Sequence, residues 1–297
     1  MLQNPRMLCP GSALLRSQRS LLLAACLALL TAGPLRAQLG PAQPELISRS
    51  LDLPSAPFPQ EVAPPPDLSH AADDISWRKL PKRFLHDQKE IWLFPTKIAK
   101  GQHLVPTLAI TGLTAGLIVA DPHAMPYFQK HAGNLDDLND VFDSSITSAV
   151  VIAVPASLLA AGYARHDDYQ VDTALLSGLA YADTAVVDLA IKAITRRQRP
   201  SDVAQSGSFH DTFFNGGKSP FKGSAFPSGH AAGAFSVATV IAHRYGRHRW
   251  VPWVAYGFAT AVSLSRVSTL SHFPSDVFLG AALGYTITRY QVLRSPQ

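Results

Sequence analysis

Ser265-Arg266-Val267-Ser268-Thr269-Leu270-Ser271-His272-Phe273-Pro274-Ser275-Asp276 stands between two apolar runs, Val251–Leu264 and Val277–Ile287. Neither run alternates as a half-buried strand would, so the stretch reads as a turn between two helices. Pro274 suits the first turn of the second helix, which puts Asp276 near its start. Arg266 offers a forked donor suited to phosphoryl oxygens. His272 offers an imidazole able to attack phosphorus, and Asp276, four residues on, is within reach to hold its tautomer. Taken alone, a capping Asp and a surface His explain the same letters equally well.

Four more apolar segments lie upstream, at Leu104–Ala120, Ile146–Tyr163, Ala174–Ile194 and Ala231–Ala242. Ala, Leu, Val and small residues dominate all six, and the spacing predicts helices. The expected fold is all-α, a bundle of about six core helices over residues 104–290. Pro155 is expected to kink the second segment. Asp121–Ser145, acidic, and Arg199–Pro227, rich in Gly, Ser and Phe, read as long connections of the kind that often carry function. There is no internal repeat, no Gly-rich nucleotide loop and no metal-type His/Cys cluster in the sequence.

Two of these segments border chemistry. Lys192 and Arg199 are seven apart, about two helical turns, so they can share a face. Pro200 turns Arg199 off the helix end. Arg196 and Arg197 have a plainer reading as cations complementing a helix C-terminus. Phe226-Pro227-Ser228-Gly229-His230 opens the fourth segment. Ser228 can cap that helix, its first-turn N–H groups form an anion site, and Gly229 allows close approach to the backbone. His230 sits at the rim, where a proton could pass to a leaving oxygen. Asp188, one turn before Lys192, can pair with it as an ordinary helix salt bridge. His210, Lys218 and Lys222 lie in the intervening loop, where solvated side chains are the default.

In order, Lys-x6-Arg-Pro, Pro-Ser-Gly-His and Ser-Arg-x5-His-x3-Asp resemble the motifs of the type 2 phosphatidic acid phosphatase and vanadium haloperoxidase superfamily. Lys192, Arg199, Pro200, Pro227, Ser228, Gly229, His230, Ser265, Arg266, His272 and Asp276 fill every signature position. The resemblance covers roughly residues 104–290 and favours the phosphatase branch. It implies that Lys192, Arg199, Arg266, Ser228 and the Gly229 backbone hold phosphate oxygens. It further implies that His272, oriented by Asp276, forms a phosphohistidine, and that His230 protonates the leaving alkoxide. No metal or cofactor is implied, since the cations supply the positive charge. Phosphomonoesters or pyrophosphates, lipid phosphates foremost, are the implied substrates. The alternatives are a soluble non-specific acid phosphatase, a vanadium-dependent haloperoxidase and an inactive envelope binding protein. The last would be expected to lack His230 or His272.

Residues 1–37 read as a secretory signal. Arg6, Arg16 and Arg19 precede the apolar run Leu21–Ala32, and cleavage is expected after Ala37. Cleavage would remove Cys9 and Cys26, the only cysteines, and with them any disulfide chemistry. It would also remove four arginines and no acid. The 26 basic side chains less those four leave 22 against 21 acids, so a net charge of +5 becomes +1. The high pI therefore makes no case for nucleic-acid binding. Residues 38–76 are a Pro-rich linker. Residues 77–103, basic and aromatic, suit a membrane interface, or equally a short helix packed on the domain. A cell-envelope location follows, exported to the periplasm and associated with or embedded in a membrane. The apolar runs look short for spanning, and Asp183 and Asp188 interrupt the third. Six simple spans would put residues 38–103 on the Arg-rich side, where an exported leader would not deliver them. The sequence therefore leans toward a globular or peripheral bundle; oligomeric state is open.

Overall fold

A computed structural model describes residues 75–132, 136–203, 207–216 and 224–294. The leader, all but the last two residues of the linker, and Lys218 and Lys222 lie outside the described residues. Within those residues the chain is helical with no strand. The elements are α1 (Leu80–Trp92), α2 (Phe94–Ala99), α3 (Leu104–His131), α4 (Asp136–Val141), α5 (Ser144–Arg165), α6 (Asp168–Thr195), α7 (Gly229–Arg244), α8 (Trp250–Ser268) and α9 (Pro274–Ile287). The six segments expected to be helical are α3 and α5–α9. The all-α bundle expected from the apolar pattern is the fold observed.

Several ends are fixed by capping. The Asp143 carboxylate accepts from Ser145 N at 2.8 Å and starts α5, and Asp167 accepts from Gln170 N at 3.1 Å and starts α6. Those backbone hydrogen bonds hold the Asp143 carboxyl below its ordinary range. α6 ends on Arg196, whose φ of 40° turns the chain out of the helix. α9 opens with Pro274, and the Asp276 carboxylate reaches back to Phe273 N at 2.7 Å.

The core lies among α5–α8, where Val150, Val154, Leu158, Val237, Ile241, Ala259 and Val262 are buried together. α7 and α9 approach more closely still. A Cβ at Gly280 would stand 2.4 Å from the Ser228 carbonyl oxygen, and one at Gly284 2.3 Å from that of Ala232. Two glycines one turn apart thus let two backbones touch, and a side chain at either would separate the helices. This contact brings the start of α9 beside the start of α7.

The structure adds to the sequence reading in three places. α3 continues to His131, so half of the expected 121–145 connection is helical, and α4 takes part of the rest. The extension carries Pro122 and Pro126 but is held by burial: Asp121 and Met125 are inaccessible, and Met125 and Phe128 pack on Val203, Phe209 and Phe273. Residues 77–103 form two helices, and Leu80 and Phe84 of α1 pack on Leu175, Leu176 and Leu179 of α6. Third, the apolar runs understated helix length. Leu104–His131, Ser144–Arg165 and Asp168–Asp202 are long and apolar enough to cross a membrane. Asp183 is accommodated inside the third by Gln88 Nε2 at 2.8 Å, and Asp188 by Lys192. The most apolar window of α3 is only 11% buried, and Leu104, Val105, Leu108, Leu113 and Val119 face outward.

Candidate active site

The three motifs meet at one end of the bundle, joined through backbone groups. Ala225, fully buried, donates its N–H to the Arg197 carbonyl at 2.8 Å, and its own carbonyl takes His272 Nδ1 at 2.7 Å. Ser228 N donates to the Asp276 carbonyl at 2.9 Å. His272 N and Ser271 N both donate to the Arg266 carbonyl, folding the turn after α8 back on its own end. Ser228 Oγ accepts from Ala231 N at 3.5 Å, capping α7 as its position suggested.

A cavity of about 320 Å³ opens there, and Lys192, Arg199, Gly229, His230 and His272 line it, with Asp188, Ser148, Ser224 and Tyr181 among the other wall residues. Lys192 Nζ is 2.5 Å from Asp188 Oδ2, the pairing expected at that spacing. A Cβ on Gly229 would come within 3.0 Å of Lys192 Nζ, so the absence of a side chain leaves the ammonium room at the α7 start. Arg199 Nε is buried with no hydrogen-bond partner among the described residues. A buried guanidinium N–H with nothing to donate to, on the wall of a cavity, is a place for an anion.

Ser228, Arg266 and Asp276 stand behind this wall. Arg266 is 1% exposed; its guanidinium donates to Ser144 Oγ at 2.5 Å, to the Phe142 carbonyl and to Ser265 Oγ. Asp276 has no accessible surface, and its Oδ2 is 3.7 Å from His272 Nδ1, beyond a hydrogen bond. The expected Asp276–His272 hydrogen bond is therefore replaced. A carbonyl can only accept, so the Ala225 contact places the proton on His272 Nδ1 and leaves the Nε2 lone pair free. Asp276 spends its carboxylate on Phe273 N and on Arg197 Nη1 at 2.6 Å.

Arg197 is the residue whose place the sequence misassigned. Far from decorating a helix end, it is 1% exposed and pairs with both Asp276 and Asp121 Oδ2, the latter at 2.7 Å. It also donates to Ser275 Oγ and Thr212 Oγ1, between the rings of Phe273 at 3.9 Å and Phe213 at 4.5 Å. Arg196, by contrast, is exposed. The available signal was spacing: past the helix end the chain is extended, so Arg197 and Arg199 fall on a period of two. Ser144 and Ser148 carried no motif. His210 lies edge-on to His123 rather than on the cavity.

His230 Nε2 lies 3.1 Å from Ser148 Oγ and 3.4 Å from the Ser144 carbonyl. Its pKa falls to about 4, chiefly through burial, then through the Arg266 guanidinium and His272. The site therefore holds His230 neutral at pH 7.

Residues 173–295 match the profile of the PAP2 superfamily. The chain is 39% identical over 64 residues to a lipid A 1-phosphatase of Porphyromonas gingivalis, a stretch covering 21% of this chain and only 14% of that protein. Among solved structures it resembles the first transmembrane PAP2 type phosphatidylglycerolphosphate phosphatase from Bacillus subtilis. That similarity covers 72% of this chain and 92% of the other at 19% identity, with a TM-score of 0.36 too low to transfer geometry.

Proposed function

We propose that the chain is a metal-independent phosphatase that hydrolyses a lipid phosphate through a phosphohistidine. The observation that carries this is the single cavity on which Lys192, Arg199, Gly229, His230 and His272 converge from the sequence motifs. The His272 Nε2 lone pair attacks phosphorus, forming an N–P bond as the P–O bond to the leaving group breaks. Arg199, Lys192 and the α7 N-terminus stabilise charge on the equatorial oxygens. Arg266 joins them by giving up the Phe142 carbonyl and Ser144. His230 supplies the proton for the leaving oxygen and later takes one from the water that releases phosphate. Asp276 acts on this site indirectly, by fixing the start of α9.

The membrane reading rests on helices α3, α5 and α6 and on the exposed apolar face of α3. An apolar leaving group presented from a bilayer fits that setting, as does the lipid A 1-phosphatase matched over 64 residues. Export to the periplasm by the expected leader belongs to the same proposal. Purified protein in detergent should release phosphate from phosphatidate or a polyprenyl pyrophosphate with or without chelator, and His272→Ala should trap no phosphoenzyme. Loss of activity in chelator with rescue by a divalent ion, or phosphoenzyme in His272→Ala, would overturn it.

A further inference from the structure

His230 has an unassigned neighbour, Ser148. Ser144 and Ser148 are one turn apart on α5 and so share a face. Both meet the same ring nitrogen, the Ser144 carbonyl at 3.4 Å and the Ser148 hydroxyl at 3.1 Å. A carbonyl can only accept, so Nε2 carries a proton and directs it toward both oxygens. Ser144 is already engaged, its hydroxyl held by Arg266. Ser148 is solvent-accessible and lines the cavity beside His230 and His272. A hydroxyl that accepts from Nε2–H still has its own proton to give.

Resting on the phosphatase reading, we propose that Ser148 is a catalytic residue that relays the proton from His230 to the leaving oxygen. As the P–O bond breaks, its electron pair stays on the departing oxygen. His230 takes up a proton from solvent when the phosphate dianion binds; the Ser148 hydroxyl proton then passes to that oxygen, and the Nε2 proton of the resulting imidazolium passes to Ser148 Oγ. Serine ends as a hydroxyl, and His230 ends neutral with its proton on Nδ1. In the second half-reaction the same path runs backwards from water.

The test uses the full chain in detergent with hexadecyl phosphate, whose alkoxide needs a proton, and p-nitrophenyl phosphate, whose leaving group needs little help. Single-turnover phosphoenzyme formation is followed for Ser148→Ala, Ser148→Thr and His230→Ala. Ser148→Ala removes no core contact and suits a helix. It should slow the alkyl ester by about tenfold or more, a share of what general acid catalysis contributes, and slow the aryl ester much less. Ser148→Thr, which keeps a hydroxyl, should recover most of the alkyl rate. An alkyl rate within twofold of the unaltered protein, or an equal loss on both esters, overturns the relay. His230→Ala slowing both esters equally, or no turnover of either ester by the unaltered protein, overturns the phosphatase reading beneath it.

Discussion

Anion binding at this site should be linked to proton uptake by His230. In the free protein burial, Arg266, His272 and Lys192 all disfavour its charged form, and its pKa stands at about 4 against an ordinary 6.5. Because the folded-state value is depressed, the unfolded chain binds the proton first. The stability that depends on neutral His230 is complete above pH 6.5 and is lost as pH falls toward 4. At about 1.4 kcal/mol per pKa unit the loss approaches roughly 3 kcal/mol across that window. A dianion in the cavity offsets the surrounding cations and raises the pKa. Its affinity should then rise by up to about tenfold per pH unit lost, wherever the free histidine is neutral and the bound one protonated. Sulfate is the suitable probe, since its own charge is constant over this range. Calorimetric titration at pH 6 in buffers of different ionisation enthalpy should show net proton uptake, absent in His230→Asn. Unfolding of the intact chain in detergent should lose about 3 kcal/mol more than that variant between pH 6.5 and 4. Histidine resonances that place His230 at 6 or above in the free protein would refute the reasoning, as would sulfate binding with no proton uptake.

Arg197→Met should cost about 3–5 kcal/mol, because it strands the buried carboxylates of Asp121 and Asp276. Adding Asp121→Asn should return part of that loss, and chemical unfolding of the single and double variants checks both. Gly280→Ala should cost about 1–3 kcal/mol, since its Cβ would stand 2.4 Å from the Ser228 carbonyl and must push α9 off α7. The same variant should weaken sulfate binding, because Ser228 caps the helix whose N-terminus faces the anion; unchanged affinity in a folded variant would count against that cradle.

What the sequence made legible was local chemistry with fixed spacing. Six apolar segments became α3 and α5–α9, and the position of Ser228 before a helix identified a cap. Lys192, Arg199, Gly229, His230 and His272 share a cavity because motif spacing on helix ends fixes which way each side chain leaves the backbone. Long-range partners were not legible. Asp121 lies 76 residues from Arg197 and inside what looked like an acidic loop, in a helical segment whose Met125 and Phe128 pack on Val203, Phe209 and Phe273. Ser148 looks like any helical serine until α5 is laid beside α7. Spanning length was misjudged for a related reason. Asp183 and Asp188 break an apolar run on paper, whereas in the bundle each turns inward to a partner.

The resting site keeps most of its charges occupied by the protein's own groups. Arg266 is held by the Phe142 carbonyl and Ser144, Lys192 by Asp188, and Arg197 by two carboxylates. Arg199 alone among these presents a buried donor without a partner among the described residues. These positions divide the labour. Arg197 is locked on every side and serves the architecture, since moving it would expose buried carboxylates. On the proposed function, Lys192, paired with Asp188 on the cavity wall, and Arg266, behind that wall, exchange these partners for phosphate oxygens. Arg199 is free to make the first contact. An anion arriving at Arg199 therefore meets donors that must exchange partners, and the strength of its binding reflects the difference between old and new contacts rather than their sum. This favours an acceptor more highly charged than a carbonyl or a serine hydroxyl. A phosphoryl group gaining negative charge at its equatorial oxygens meets that condition best as it approaches the transition state.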